Sequence, residues 1–252
     1  MELALFGVWC FIVAAAGGLV GLVLGNIRLP ATLLVASGAA AGAGANLAIS
    51  AIAAFTAAAV HIRAGRINWR LFGWMALPSV LGAVAGGYLA GELPEDVLLV
   101  FIALVLFHAA YELSKWQPKA PAAPGEPDVE PELDVRAAVI SGGVIGLLGG
   151  IVGLILGSLR MPALLKFVGE TPRRAVGTNV AVGVLVGVAG ALAHLPNAAP
   201  DLDLILVGGA ASVPGALLGS RLTGRLSEIQ LVRAIAVVLV VAAVGVLVQV
   251  VG

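Results

Sequence analysis

The sequence predicts an all-α polytopic membrane protein made of two inverted repeats, each a helical hairpin followed by about three transmembrane helices. Three observations predict it: the composition, an internal duplication, and a reversal of charge between equivalent loops. Of 252 residues, 60% are hydrophobic and 11% charged, against roughly a quarter charged in soluble domains. Fourteen basic and fourteen acidic residues cannot cover a water-facing surface, so a soluble globule is excluded. The 34 glycines lie inside apolar runs without a collagen period, and in membrane helices small residues let backbones approach closely. Net charge is zero, which leaves no electrostatic footprint for nucleic acid. One cysteine, Cys10, excludes an internal disulfide framework and a cysteine metal cluster.

The first apolar run, Leu3–Gly25, has no basic residues before it. It is therefore expected to be a membrane element and not a cleaved signal peptide. A spanning helix needs about 20 apolar residues. Further candidates are Gly44–Val60, Leu71–Ala90, Val97–Leu113, Val135–Gly157, Ala175–Ala193, Leu204–Ser220 and Ile229–Val251. Two shorter stretches remain, Pro30–Ala43 and Pro162–Gly169. Between Trp116 and Asp134 stand Pro118, Pro121, Pro124, Pro127 and Pro131, with Glu126, Asp128, Glu130 and Glu132 among them. That composition reads as an extended, solvated linker. It divides the chain into a first repeat (1–115), a linker (116–134) and a second repeat (135–252).

The two halves are copies. Gly18-Leu-Val-Gly-Leu-Val-Leu-Gly-Asn-Ile-Arg-Leu-Pro-Ala31 aligns with Gly150-Ile-Val-Gly-Leu-Ile-Leu-Gly-Ser-Leu-Arg-Met-Pro-Ala163. One inserted residue later the register pairs Asn46 with Asn179, His61 with His194, Ser79 with Ser212, Gly82 with Gly215 and Gly86 with Gly219. Matches of Arg, Pro, Asn and His in one register do not come from composition.

Loop charge sets the orientation of each copy. His61–Arg70 carries Arg63, Arg66 and Arg70, whereas its copy at His194–Asp203 carries Asp201 and Asp203 and no base. Gly91–Asp96 carries Glu92, Glu95 and Asp96, whereas its copy holds Arg221 and Arg225. The sign flips, as inverted repeats require, with the arginine loops and the linker expected in the cytoplasm of a multi-pass inner-membrane protein. Inversion needs an odd number of crossings per repeat. Were Pro162–Ala193 a single crossing, Arg173 and Arg174 would sit roughly 17 Å deep at 1.5 Å per residue, at a cost of a few kcal/mol each. A hairpin that returns to the cytoplasm brings them to the surface instead, its descending arms tilted or broken at Gly17-Gly18 and Gly149-Gly150.

Each hairpin turn then carries a basic residue inside the membrane, Arg28 and Arg160. Pro30 and Pro162 stand where the ascending helices are expected to begin, a favoured place for proline. Helix starts present free N–H groups and a positive dipole end. Two guanidinium groups meeting near the midplane make an anion site. The alternative is that both arginines are interfacial anchors that snorkel to the surface. Asn26, Ser158, Asn46, Thr178 and Asn179 are candidate hydrogen-bonding partners of the anion, or of neighbouring helices. His61 and His194 read as loop-facing, solvated histidines, with proton handling as the alternative. No Asp or Glu falls within a confident span, and an intramembrane enzyme would need a nucleophile with a base in reach, to which Ser37, Ser141 and three histidines give no pointer. No catalytic residue, metal site or cofactor is expected.

The chain resembles the TauE/SafE sulfite-exporter family. The resemblance rests on the duplicated stretch ending Arg160-Met-Pro-Ala-Leu-Leu and on Ala175-Val-Gly-Thr-Asn-Val. The loop from His61 through Gly65-Arg-Ile-Asn-Trp69 adds to it, as does Ser79-Val-Leu-Gly-Ala-Val-Ala-Gly86 with Leu93-Pro94 after it. It implies a bacterial-type inner-membrane permease for small sulfur anions: sulfite, thiosulfate, or sulfonates such as sulfoacetate. Two departures matter. The family's glycine run before the proline reads here Leu-Gly-Asn-Ile-Arg and Leu-Gly-Ser-Leu-Arg, and Asn68 stands where Asp is usual. The arginines favour a dianionic or strongly acidic substrate. The function expected is export of a small sulfur oxyanion or organosulfonate by alternating access, against a passive anion channel or a non-transporting assembly partner. The bilayer is the other partner; the sequence leaves a homodimer open.

Overall fold

The computed structural model describes residues 2–89, 95–117, 133–152, 154–194 and 201–251. Among them the chain forms ten α-helices and no strand. The first five are α1 (Glu2–Val20), α2 (Gly25–Val35), α3 (Ala39–Arg63), α4 (Trp69–Tyr88) and α5 (Glu95–Ser114). The second five are α6 (Val135–Val152), α7 (Gly157–Ala163), α8 (Pro172–His194), α9 (Leu202–Thr223) and α10 (Glu228–Val251). A π-helical turn, Leu164–Val168, continues α7. Most of the expected linker, 118–132, lies outside the described residues.

Both halves run through the same five elements in the same order. The starts of α2 and α7, α4 and α9, and α5 and α10 fall on residues that the duplication pairs. By length and composition α1, Ala41–Arg63 of α3, Asp96–Ser114 of α5, α9 and Glu228–Gln249 of α10 can cross a membrane. Large apolar side chains such as Leu5, Phe55, Leu104 and Val237 face outward, a surface suited to lipid. The core lies where α5 crosses α10, around Ile102, Leu106, Leu231, Ile235 and Leu239.

The first helix of each half does not run straight to the tip. α1 ends at Val20 and α6 at Val152, before the Gly25 and Gly157 that the apolar runs suggested. The chain then doubles back: Leu22 N donates to Gly17 O and Leu154 N to Gly149 O, both at 2.9 Å. A Cβ on Gly17 would meet Leu22 O at 2.5 Å and one on Gly149 would meet Leu154 O at 2.6 Å. Gly17 and Gly149 thus make room for the returning chain, while a Cβ on Gly18 would meet Ala216 O of α9 at 2.7 Å; the helices run on past both pairs. Gly21 takes φ +69° against Val176, a left-handed conformation that favours glycine.

Packing exchanges partners between the halves. Phe11 O and Ala15 O of α1 press on Gly215 and Gly219 of α9, while Gly143 O and Leu147 O of α6 press on Gly82 and Gly86 of α4. Both helix pairs therefore run parallel, with backbone against backbone. α1 begins beside the start of α9, Gly7 against Val207, and α2 finishes there too, Ser37 on Asp201. α6 begins beside the end of the π turn, Asp134 N donating to Val168 O. That end is shared with the α3–α4 loop and the end of α9: Arg66 Nη1 donates to Ser220 O and Arg173 Nη2 to Leu226 O. The two broken segments meet inside, where a Cβ on Gly157 would lie 3.5 Å from Val23 N.

Candidate functional site

α2 and α7 start at Gly25 and Gly157, and each carries its arginine in the first helical turn. Pro30 and Pro162 therefore do not open these helices, as expected above, but sit inside them. Glycine takes the first position because space there is short: a Cβ on Gly25 would meet Ser50 Oγ at 2.8 Å. Proline's missing N–H leaves Asn26 O without its helical donor. Gln249 Nε2 of α10 donates to it instead, at 3.0 Å.

Arg28 is buried, 2% exposed, and held on several sides. Its Nε donates to Asn46 Oδ1 at 2.9 Å, and its Nη2 to Asn46 O at 2.9 Å and to Ser50 Oγ. Asn46 and Ser50 lie one turn apart on α3, so they share a face. Asn46 Nδ2 in turn donates to Gly25 O at 3.1 Å. A cavity of about 20 Å³ beside this cluster is lined by Arg28, Ser50, Gly17, Leu22, Val23 and Val180. It has room for a water-sized occupant.

Arg160 occupies the equivalent place, equally buried at 2%, yet its Nε and Nη1 have no hydrogen-bond partner among the described residues. Asn179, the counterpart of Asn46, donates through Nδ2 to Gly21 O at 2.7 Å and to Gly157 O at 3.0 Å. Its Oδ1 is buried without a partner. The duplication puts Gly183 where the first half has Ser50. One repeat closes the Arg–Asn pair and the other leaves it open. Each buried unmade hydrogen bond costs about 1–3 kcal/mol, more for a charged group.

The remaining expected site residues scatter. Asn26 Nδ2 donates to Ala242 O of α10 at 3.2 Å. Thr178 Oγ1 accepts from Asn68 N at 3.0 Å. Ser158 is buried beside Arg160 in α7. His61 is not solvated: α3 continues to Arg63, which places the ring in the helix's last turn, fully buried, with neither ring nitrogen hydrogen-bonded among the described residues. His194 ends α8, but its side chain lies outside the described residues. Among the described residues no three His, Cys, Asp or Glu side chains gather as metal ligands.

The sequence reading missed two groups. Ser50, one turn after Asn46, was legible only as an i, i+4 neighbour. Glu170 is 4% exposed in the α7–α8 connection. Its carboxylate accepts from Asn68 Nδ2 at 2.6 Å and from Thr171 N at 2.8 Å, with Arg174 Nε at 3.9 Å.

An all-helical chain with an apolar exterior, two broken half-helices meeting inside it and a buried guanidinium on each belongs to the class of membrane transport proteins. The family model of the sulfite exporter TauE/SafE matches residues 6–246. The chain belongs to that family. No curated protein and no solved structure matches it. Membership implies a multi-pass membrane protein that moves sulfur anions such as sulfite.

Proposed function

We propose that the chain exports a small sulfur-containing anion, sulfite or an organosulfonate such as sulfoacetate, across the inner membrane by alternating access between its two hairpins. Arg28 and Arg160 supply positive charge along the path, flanked by Asn46 and Asn179. The two halves act as inverted repeats, with the arginine-bearing loops in the cytoplasm. The chain works as a permease, with no covalent step. One observation carries this reading: Arg160 is buried with two donors unused, in a protein whose family moves anions. An arginine at membrane depth costs about 2.5–3.5 kcal/mol even on insertion scales. An anion on the transport path offsets that cost. The meeting of the broken segments near Gly157 and Val23 supports a central seat reached from either side.

Sulfite efflux from proteoliposomes tests the reading. Wild type is expected to empty loaded vesicles, and Arg160→Ala to reduce the rate to that of protein-free vesicles. Undiminished efflux in both Arg28→Ala and Arg160→Ala would sink the mechanism. A current reversing at the anion's Nernst potential would replace the carrier by a channel.

A further inference from the structure

We infer that Arg160 and Asn179 form an anion seat, and that this seat fits an oxyanion still carrying a proton. The inference rests on the transport reading above. Arg28 and Arg160 are equivalent by duplication but not in what surrounds them. In the first half Asn46 Oδ1 and Ser50 Oγ take the guanidinium's donors. In the second half Gly183 replaces the serine, and Nε and Nη1 of Arg160 stay free of partners among the described residues. Gly183 removes the acceptor that Ser50 offers to Nη2, while the open Nε reflects how Asn179 is turned toward Gly21 O and Gly157 O. Arg28 is held by protein acceptors at the edge of its small cavity, and Arg160 is the arginine whose Nε and Nη1 are left for a ligand.

The orientation of Asn179 sets the ligand's chemistry. Its amide has one donor end and one acceptor end. Two carbonyls, Gly21 O and Gly157 O, both call for the NH2 end, which fixes the amide in place. What remains unpaired is the oxygen, an acceptor. The seat thus offers N–H donors from a cation and one lone-pair acceptor from a neutral amide. A fully deprotonated oxyanion satisfies Arg160 but turns its own lone pairs on Asn179 Oδ1. A monoanion with one O–H satisfies both. Hydrogensulfite has that pattern; methanesulfonate, of equal charge and similar size, does not. This replaces the dianion suggested by the arginines alone with a protonated monoanion.

Calorimetry on the purified full chain, at a mildly acidic pH where sulfite carries one proton, compares hydrogensulfite with methanesulfonate. Hydrogensulfite is expected to bind about tenfold more tightly or better, the worth of one hydrogen bond to a charged ligand. Arg160→Met is expected to lose both anions while its ligand-free unfolding temperature stays at or above wild type, since a partnerless buried charge has been removed. Arg160→Lys, which keeps the charge, provides a second route should that variant not fold. It loses the fixed fork of guanidinium donors, and it is expected to weaken hydrogensulfite binding about tenfold. Equal affinity for the two anions would overturn the protonated-ligand assignment, and binding retained in Arg160→Met would overturn the seat. Wild type that binds neither anion and empties no vesicles would remove the transport reading, and this inference with it.

Discussion

Ser37 donates its backbone N–H and its hydroxyl to the two carboxylate oxygens of Asp201, each at 2.8 Å and 164 residues along the chain. The duplication maps Ser37 onto Glu170 and Asn68 onto Asp201. At the opposite end of the bundle those counterparts also bond, Asn68 Nδ2 donating to Glu170 Oε2 at 2.6 Å. The same pair of connections is latched at both ends, with donor and acceptor roles exchanged. The Ser37 latch is exposed, whereas Glu170 and Asn68 are buried.

The exposed latch has a pH signature. The Ser37 N–H and hydroxyl hold the Asp201 carboxyl below the usual carboxylate range. A depressed folded-state pKa adds stability that is fully present above the unfolded value of about 3.9 and is lost as pH falls through the lowered value. The contact is therefore expected to be indifferent to pH near neutrality and to open only in strong acid. Asp201→Ala should open it at every pH, read as faster hydrogen exchange at the Ser37 amide. Unchanged exchange in that variant would show that the latch does not hold the α2–α3 connection.

The Arg28 cluster makes a stability prediction. Ser50→Ala removes an acceptor from a guanidinium that is 2% exposed. The expected loss is about 1–3 kcal/mol, the cost of one unsatisfied buried donor. Thermal unfolding in detergent reads it as a lowered midpoint. A midpoint equal to wild type would mean that Arg28 finds water in the neighbouring cavity and needs no hydroxyl.

Much of this architecture was legible because the duplication repeats it. The five elements of each half and the arginine of each half-helix follow from residues within one aligned window, whereas the break expected at Gly17-Gly18 and Gly149-Gly150 comes later, after Val20 and Val152. What was not legible depends on contacts far along the chain. The helix starts at Gly25 and Gly157 were hidden inside apolar runs, and Pro30 and Pro162 carried the stronger local signal for a first turn. Inside α2 the carbonyl that Pro30 leaves without its helical donor, Asn26 O, is served by Gln249, 223 positions away. His61 read as solvated because arginines follow it, yet α3 carries its ring into the interior. One part of the difference between Arg28 and Arg160 was present as Ser50 against Gly183, but the turn of Asn179 away from Arg160 needed the geometry.

The glycines separate into contact and filler, which substitution distinguishes. A Cβ on Gly219 would collide with Ala15 O, and one on Gly86 with Leu147 O, backbone atoms that no rotamer change moves. Alanine at either position is expected to destabilise by about 1–3 kcal/mol or more, as overpacking does. Gly73 in α4 has nothing within 4 Å of an added Cβ. Gly73→Ala should be neutral, or stabilising by about 0.5–1 kcal/mol through helix propensity. Equal effects at Gly73 and Gly219 in detergent unfolding would deny the parallel helix pairs their backbone contact.

Membrane orientation follows from which loops share an end. Arg66 reaches Ser220 O and Arg173 reaches Leu226 O, so the α3–α4 and α9–α10 connections close the same end of the bundle. Arg63, Arg66, Arg70, Arg221 and Arg225 gather there, while Asp201 and Asp203 mark the far end of α9. Basic loops stay on the cytoplasmic side. Cys10 is fully buried and gives no labelling background. Arg70→Cys and Asp203→Cys both place a thiol at an exposed position. A membrane-impermeant maleimide applied to intact spheroplasts is expected to label the Asp203→Cys variant at once and the Arg70→Cys variant only after permeabilisation. The reverse order would turn the protein over in the membrane, and labelling of both from outside would break the shared-end arrangement on which the proposed inversion of the two halves rests.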